Sequence, residues 1–293
     1  MAEIGRLGAW TFALDQQPMA RAQELAAEFE ELGYGAVWIP EAVGRDPFVS
    51  AALLLSGTEQ LIVATGIATI YARDAMAMNG CWQALSEAFP GRFLLGLGVS
   101  HQPMVEGMRG AVYGPPLTAM HEYLEAMDSA LYFAAKPIVA PERVLAALGP
   151  KMLALSRDMA GGAHPYNVPP EHTAIAREIL GPDRLLAPDQ KVILETDPAA
   201  ARETARDTLA IYSSLPNYTN NLRRLGFTEE DLTPPLSNKL VDALVVWGDV
   251  EAIRTRIDAH HAAGADHVAI QVLPGNDVDR LMRDYRTLSE ALL

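Results

Sequence analysis

The chain of 293 residues is short of cysteine, of basic residues and of long apolar runs. A single cysteine, Cys81, cannot form an internal disulfide, a Cys-x-x-Cys redox pair or a thiolate metal cage, and its isolation fits a reducing cytoplasm. Lys and Arg number 23 against 37 Asp and Glu, a formal net charge of −14. That surplus repels phosphate backbones and anionic bilayers, so neither nucleic acid nor a membrane surface is expected as a partner. The opening MAEIGRLGAW lacks the basic start and apolar centre of a signal peptide. The longest apolar stretch, FVSAALLLSG, is too short to span a bilayer.

Several motifs are missing as well. There is no G-x-S-x-G elbow, no H-E-x-x-H and no Walker A loop, which argues against serine hydrolases, zinc peptidases and P-loop NTPases. The seven histidines show no spacing that recommends a metal, and none is expected. His260 and His261, adjacent on a predicted helix, read as a solvated helix end.

What is present is an alternation. RLGAWTFAL, AVWIP, LIVATGIATI, FLLGLGV, RVLAAL, AHPYNV, KVILE and HVAIQVL are short apolar segments of the kind a sheet covered on both faces requires. Between them lie segments of helical spacing. In residues 74–91, Met78, Trp82, Leu85 and Phe89 share a face, Asp74 is the predicted N-cap, and Pro90 with Gly91 ends the helix. Asp197 and Pro198 open another helix, expected over about 198–213, with further helices near 236–245 and 249–263. Eight such strands point to a (β/α)8 TIM barrel spanning residues 1–293 as one domain, with an insertion between strands seven and eight. The rival is an open doubly wound sheet, but the first turn, TFALDQQPM, lacks the glycine fingerprint that fold uses for dinucleotides. Within the insertion, Pro216, Asn217, Asn220 and Asn221 suggest an ordered turn.

In a barrel, the residues that follow each strand converge on one mouth. Here they are Glu41, then Tyr71 and Arg73, then Ser100 and His101, then Gly149, Tyr166, Asn167 and Glu195. A rim of glycines and small polar groups with few charges suits a large flat ligand lying over the backbone. Redox chemistry on a bound cofactor asks little more than orientation and one or two proton-handling groups.

Several stretches carry a resemblance: ELGYGAVWIPE, ATGIATIYARDAMAM, AFPGRFLLGLGVSHQPMVE, AALGPKMLALSRDMAGGAHPYNVPPEHTAIAREILGP, LPNYTNNLRRLGFTEEDL and GADHVAIQVLP. Together they resemble the luciferase-like oxidoreductases, and most closely the subgroup assigned to the deazaflavin coenzyme F420. The resemblance implies a cofactor ring at the C-terminal mouth, backed by a strand-three bulge with a non-prolyl cis peptide at Gly66-Ile67-Ala68-Thr69. A simple β-bulge glycine reads equally well at Gly66. It implies a phosphate cradle at Leu148, Gly149 and Pro150, where an ordinary βα turn is the alternative. Gly98, Ser100 and His101 would face the reactive side, with His101 as proton donor or acceptor, or else as a histidine satisfied by backbone. Glu41 would hydrogen-bond the ring, or pair with Arg45 or Arg73. Tyr71, Arg73, His164 and Tyr166 are weaker pocket candidates.

The sequence departs from the best-known sugar-phosphate dehydrogenases of that group. Ala42 stands where they carry a histidine, and His101 where they carry a carboxylate. The expected activity is therefore hydride transfer between F420 and a small organic substrate other than a sugar phosphate. FMN-dependent monooxygenation and a non-catalytic flavin-binding relative are the alternatives. Family members generally pair as homodimers, and the Ala- and Met-rich helix at 74–88 offers a face for that.

Overall fold

The computed structural model describes residues 4–293; the first three residues of MAEIGRLGAW lie outside them. Strands run β1 (Leu7–Trp10), β2 (Ala36–Ile39), β3 (Ile62–Thr65), β4 (Ala68–Thr69), β5 (Phe93–Gly98), β6 (Glu142–Leu145), β7 (Gly162–Ala163), β8 (Leu185–Leu186), β9 (Asp189–Ile193), β10 (Val245–Trp247) and β11 (Val268–Val272). Helices are α1 (Met19–Glu31), α2 (Pro47–Ser56), α3 (Ala75–Ala88), α4 (Pro116–Asp128), α5 (Pro150–Met159) and α6 (Pro170–Leu180). After them come α7 (Pro198–Leu209), α8 (Pro216–Arg224), α9 (Glu229–Leu232), α10 (Asn238–Leu244), α11 (Val250–Ala262) and α12 (Val278–Leu292).

Every strand pairing is parallel, in the order β1, β2, β3, β5, β6, β7, β8. β8 and β9 are two halves of one stave, and β9 pairs with β11, which pairs with β1. The Ala187 N–H donates to the Ala163 carbonyl at 3.0 Å and the Ala269 N–H to the Pro188 carbonyl at 2.9 Å, so this stave holds both neighbours and the ring closes. The expected α/β TIM barrel is the observed one. No helix among the described residues is long and apolar enough to cross a membrane.

The predicted local signals work where they are local. Asp74 caps α3, accepting from the Ala77 N–H, and Met78, Trp82 and Leu85 are buried beneath it. Asp197 caps α7, accepting from the Ala199 N–H. The barrel interior carries bulky side chains from some strands, Trp10, Trp38 and His164 among them, and glycines from others. A Cβ on Gly96 would stand 1.9 Å from the Thr65 carbonyl oxygen. One on Gly66 would stand 2.5 Å from Trp10 Nε1.

The structure corrects five expectations. α7 stops at Leu209 rather than near 213. The segment AHPYNV is strand only at its first residue, Ala163, which forms β7 with Gly162; beyond it Asn167 takes a positive φ of 57° that no extended strand allows. Residues 216–224 are a helix rather than a turn, because Pro216 fits a first helical position and Tyr218, Thr219, Asn221 and Leu222 bury one face. The 236–245 helix ends at Leu244 and hands over to β10, which adds to the upper half of β9 (Val245 opposite Lys191). His260 is not solvated. It is fully buried, its Nε2–H donating to Gln190 Oε1 at 2.9 Å while Nδ1 accepts from the Thr173 hydroxyl at 2.8 Å.

Candidate active site

The mouth is organised by a break in the third stave. The Gly66–Ile67 peptide is cis, and the strand resumes only at Ala68. The Gly66 N–H donates to the Ile39 carbonyl at 2.8 Å, and the Ile67 carbonyl accepts from the Glu41 N–H at 3.3 Å. Thr69 then pairs with Gly98 in the next stave. A Cβ on Gly98 would meet Ile67 Cδ1 at 2.4 Å and Ala146 Cβ at 3.3 Å. Thus Ile67 and Thr69 lie against Gly98 and Ala68 against Leu97, and Gly98 lies against the fifth stave that leads to Leu148, Gly149 and Pro150.

Glu41 holds this bulge. Its carboxylate accepts from the Thr69 N–H at 2.8 Å and from Arg73 at 2.6 and 3.1 Å, and its side chain is only 6% exposed. Arg73 also bonds Asp46 at 3.0 Å and lies 4.8 Å above the Phe48 ring. Of the two roles open to Glu41, the pairing with Arg73 is the one the geometry contains; Arg45 instead bonds the backbone carbonyls of Leu14 and Gln17. The neighbouring carboxylates hold the Arg73 guanidinium above its ordinary value.

Ser100 follows with a φ of 55°, a left-handed conformation uncommon outside glycine and frequent at functional turns. His101 is half-buried beneath the insertion. Its ring lies 5.5 Å from that of Tyr218, and the Asn217 side chain hydrogen-bonds it. Burial pulls the imidazole below its ordinary value, the Asn217 bond opposing only part of that, so the ring is neutral at pH 7.

Below the rim lies a buried ion pair, Lys191 Nζ to Asp189 Oδ2 at 2.6 Å, both side chains fully shielded. Lys191 also sits 3.6 Å over the Tyr166 ring. The Tyr166 hydroxyl donates to Gln271 at 2.8 Å and lies 3.1 Å from that of Tyr212. His164 is interior rather than mouth-lining: its ring stacks on Trp38 at 4.1 Å and its Nδ1–H donates to the Ala187 carbonyl at 2.6 Å. Tyr71 is structural at the edge, accepting from the Gly114 N–H at 3.1 Å.

At the far side, Gly149 caps α5 and Pro150 is its first residue. The Leu148 carbonyl accepts from His172 Nε2–H at 2.8 Å. Sequence reasoning did not select Asn217, Tyr218, Asn221 or Arg224, all on α8. Their signal was the LPNYTNNLRRLGFTEEDL stretch, which carries the resemblance but reads as an ordered turn.

A profile of luciferase-like monooxygenases matches residues 6–267. A Mycobacterium tuberculosis protein named "Putative coenzyme F420-dependent oxidoreductase Rv3520c" is 25% identical, the alignment covering 90% of this chain and 93% of that one. Among solved structures, an F420-dependent secondary alcohol dehydrogenase bound to an F420-acetone adduct superposes with a TM-score of 0.77 at 14% identity, covering 98% of each chain. The oxygenating component of 3,6-diketocamphane monooxygenase from Pseudomonas putida, in complex with FMN, gives 0.70 at 13% identity over 98% of this chain and 99% of that one. The closed parallel barrel, its interrupted third stave and the profile match agree: the chain belongs to the luciferase-like monooxygenase family.

Proposed function

We propose that the protein binds coenzyme F420 at the C-terminal mouth and transfers a hydride between it and a small organic substrate. The observation that carries this reading is the contiguity of three segments, the Gly66–Thr69 bulge, Gly98–His101 and Leu148–Pro150, around one rim. The residues present fit such a group. Gly66 and Ile67 are half-buried and would meet a flat ring, Gly98 lies behind them against Ile67, and the N-terminus of α5 would meet an anionic tail. The similarity to the M. tuberculosis relative supports the same coenzyme.

When bound, the deazaflavin supplies the carbon that gives or takes the hydride. The chain supplies the rest. Ile67 and the bulge would orient the ring, and Tyr218 with the insertion would exclude water. His101, neutral at pH 7, accepts the proton of a substrate hydroxyl in the oxidising direction and returns it in the reducing one. The exposed apolar side chains of α2 and α3, Val49, Leu53 and Met76, are where we place a homodimer contact; a monomer by light scattering would remove it.

The test is a titration of purified protein with F420 and, separately, FMN, followed by fluorescence. Saturable binding of F420 in preference to FMN is expected, and His101→Ala should keep that binding. Retention of FMN with no affinity for F420 overturns the reading in favour of an FMN-dependent monooxygenase.

A further inference from the structure

The insertion helix α8 touches both ends of the proposed site. At its start, Asn217 and Tyr218 lie on His101. At its end, Arg224 Nη2 stands 3.4 Å from where a Cβ on Gly149 would be, directly over the start of α5. We propose that Arg224 and Asn221 form the side-chain half of a phosphate-binding site whose main-chain half is the N-terminus of α5. The proposal rests on the reading that the mouth takes a phosphorylated coenzyme.

Four observations carry it. First, at the start of the ten-residue helix α5 Pro150 has no N–H and Met152 donates to the Gly149 carbonyl at 3.0 Å, which leaves the Gly149 and Lys151 N–H groups without an intrahelical partner at the positive end of its dipole. Second, His172 fixes the peptide that leads into it. With the Leu148 carbonyl held by His172 at 2.8 Å, the Gly149 N–H on the opposite side of the same planar unit points away from α6. His172 is a positioning residue, and burial together with the Arg224 charge keeps its ring neutral.

Third, Asn221 is only 2% exposed, yet its Nδ2 has no partner among the described residues. A buried amide group in that state calls for an acceptor. Fourth, no carboxylate lies within ion-pair distance of Arg224 among the described residues; its one side-chain bond goes to Asn221 Oδ1 at 3.3 Å. Main-chain amides, a guanidinium fork and a carboxamide NH2 make a set of donors, which matches a ligand of several anionic oxygens. In a chain of net charge −14, such a ligand also requires a local cation. Closing Arg224 on a phosphate would in turn fix α8 over His101.

The probes are inorganic phosphate, F420, and the deazaflavin riboside lacking phosphate, titrated on the whole protein, with hydrogen exchange of residues 216–224 as a second readout. Wild type should bind phosphate, bind F420 more tightly than the riboside, and show slower exchange in α8 when phosphate is present. Arg224→Ala should weaken phosphate about tenfold or more, abolish the preference for F420 over the riboside, and leave α8 exchange unmoved by phosphate. Arg224→Lys should fall between the two. Asn221→Asp, nearly the same shape but negative, should repel phosphate without relying on the Arg224 variants. Equal phosphate affinity in wild type and Arg224→Ala, with α8 protected in both, overturns the proposal. If F420 does not bind but the phosphate response still depends on Arg224, only the coenzyme assignment fails. If F420 binds Arg224→Ala as tightly as wild type, only this proposal fails.

Discussion

Gly98 and Ile67 fit together as a gap and its filling: a single methyl on Gly98 would lie 2.4 Å from Ile67 Cδ1. The obstruction is the far end of a flexible side chain, so Gly98→Ala should be accommodated by swinging Ile67. We expect a loss of about 1–3 kcal/mol in urea unfolding, as for other overpacked sites, and weakened cofactor binding because Ile67 moves. Gly96→Ala is a different case. Its Cβ would stand 1.9 Å from the Thr65 carbonyl oxygen, main chain of the adjacent stave that cannot swing aside. That variant should lose more than Gly98→Ala. The reverse order would contradict this packing account.

Glu41 is expected to act on the fold before it acts on chemistry. Glu41→Ala would leave the Thr69 amide without its acceptor and Arg73 with only Asp46. A cost of about 2–4 kcal/mol follows from stranding those groups. Glu41→Gln keeps one acceptor and should cost less. If either substitution instead leaves the unfolding midpoint unchanged while sharply weakening cofactor binding, Glu41 is a ring ligand rather than a brace for the bulge.

These contrasts mark what the sequence could reveal. Caps at Asp74 and Asp197, and the glycine-rich stave at 93–98, are set by neighbours in the chain and were readable there. The Glu41–Arg73 pair joins residues 32 apart, so only the closed barrel selects Arg73 over Arg45. The helix at 216–224 is polar in composition, and its stability comes from Tyr218 and Leu222 packing on distant elements, which no local pattern displays. The burial of His260 likewise depends on Thr173 and Gln190, from other staves and helices.

Three buried histidines should govern acid stability. Burial pulls His164 and His267 down to about 4 and His260 to about 3. Each folded-state value lies below the unfolded value near 6.5, so the unfolded chain binds protons first. Their contribution is full above pH 6.5 and is lost as pH falls from there toward 4. At pH 5 each would cost about 2 kcal/mol, together about 6, against a typical total of about 5–15 kcal/mol. Urea midpoints should therefore fall steeply between pH 6.5 and 5. His260→Gln, which retains a donor for Gln190, should flatten that slope by about a third. A midpoint independent of pH over this range would refute the buried, neutral state of all three.

The Lys191–Asp189 pair sets the last expectation. Burial works against both charges, lifting the Asp189 carboxyl and lowering the Lys191 ammonium, while their 2.6 Å contact opposes each shift. Removing one partner strands the other in the fully shielded interior, at a cost of about 3–5 kcal/mol. Lys191→Met should show that loss. Asp189→Asn should lose less, since its amide oxygen still accepts from the Asn167 N–H, now 2.5 Å from Asp189 Oδ1. The double variant Lys191→Met/Asp189→Asn buries no charge, so it should be more stable than Lys191→Met alone. A double-mutant cycle in urea measures this directly. Additive losses would mean that the two charges do not support each other, and that the Tyr166 ring 3.6 Å from Nζ, rather than Asp189, is what holds Lys191 in the barrel.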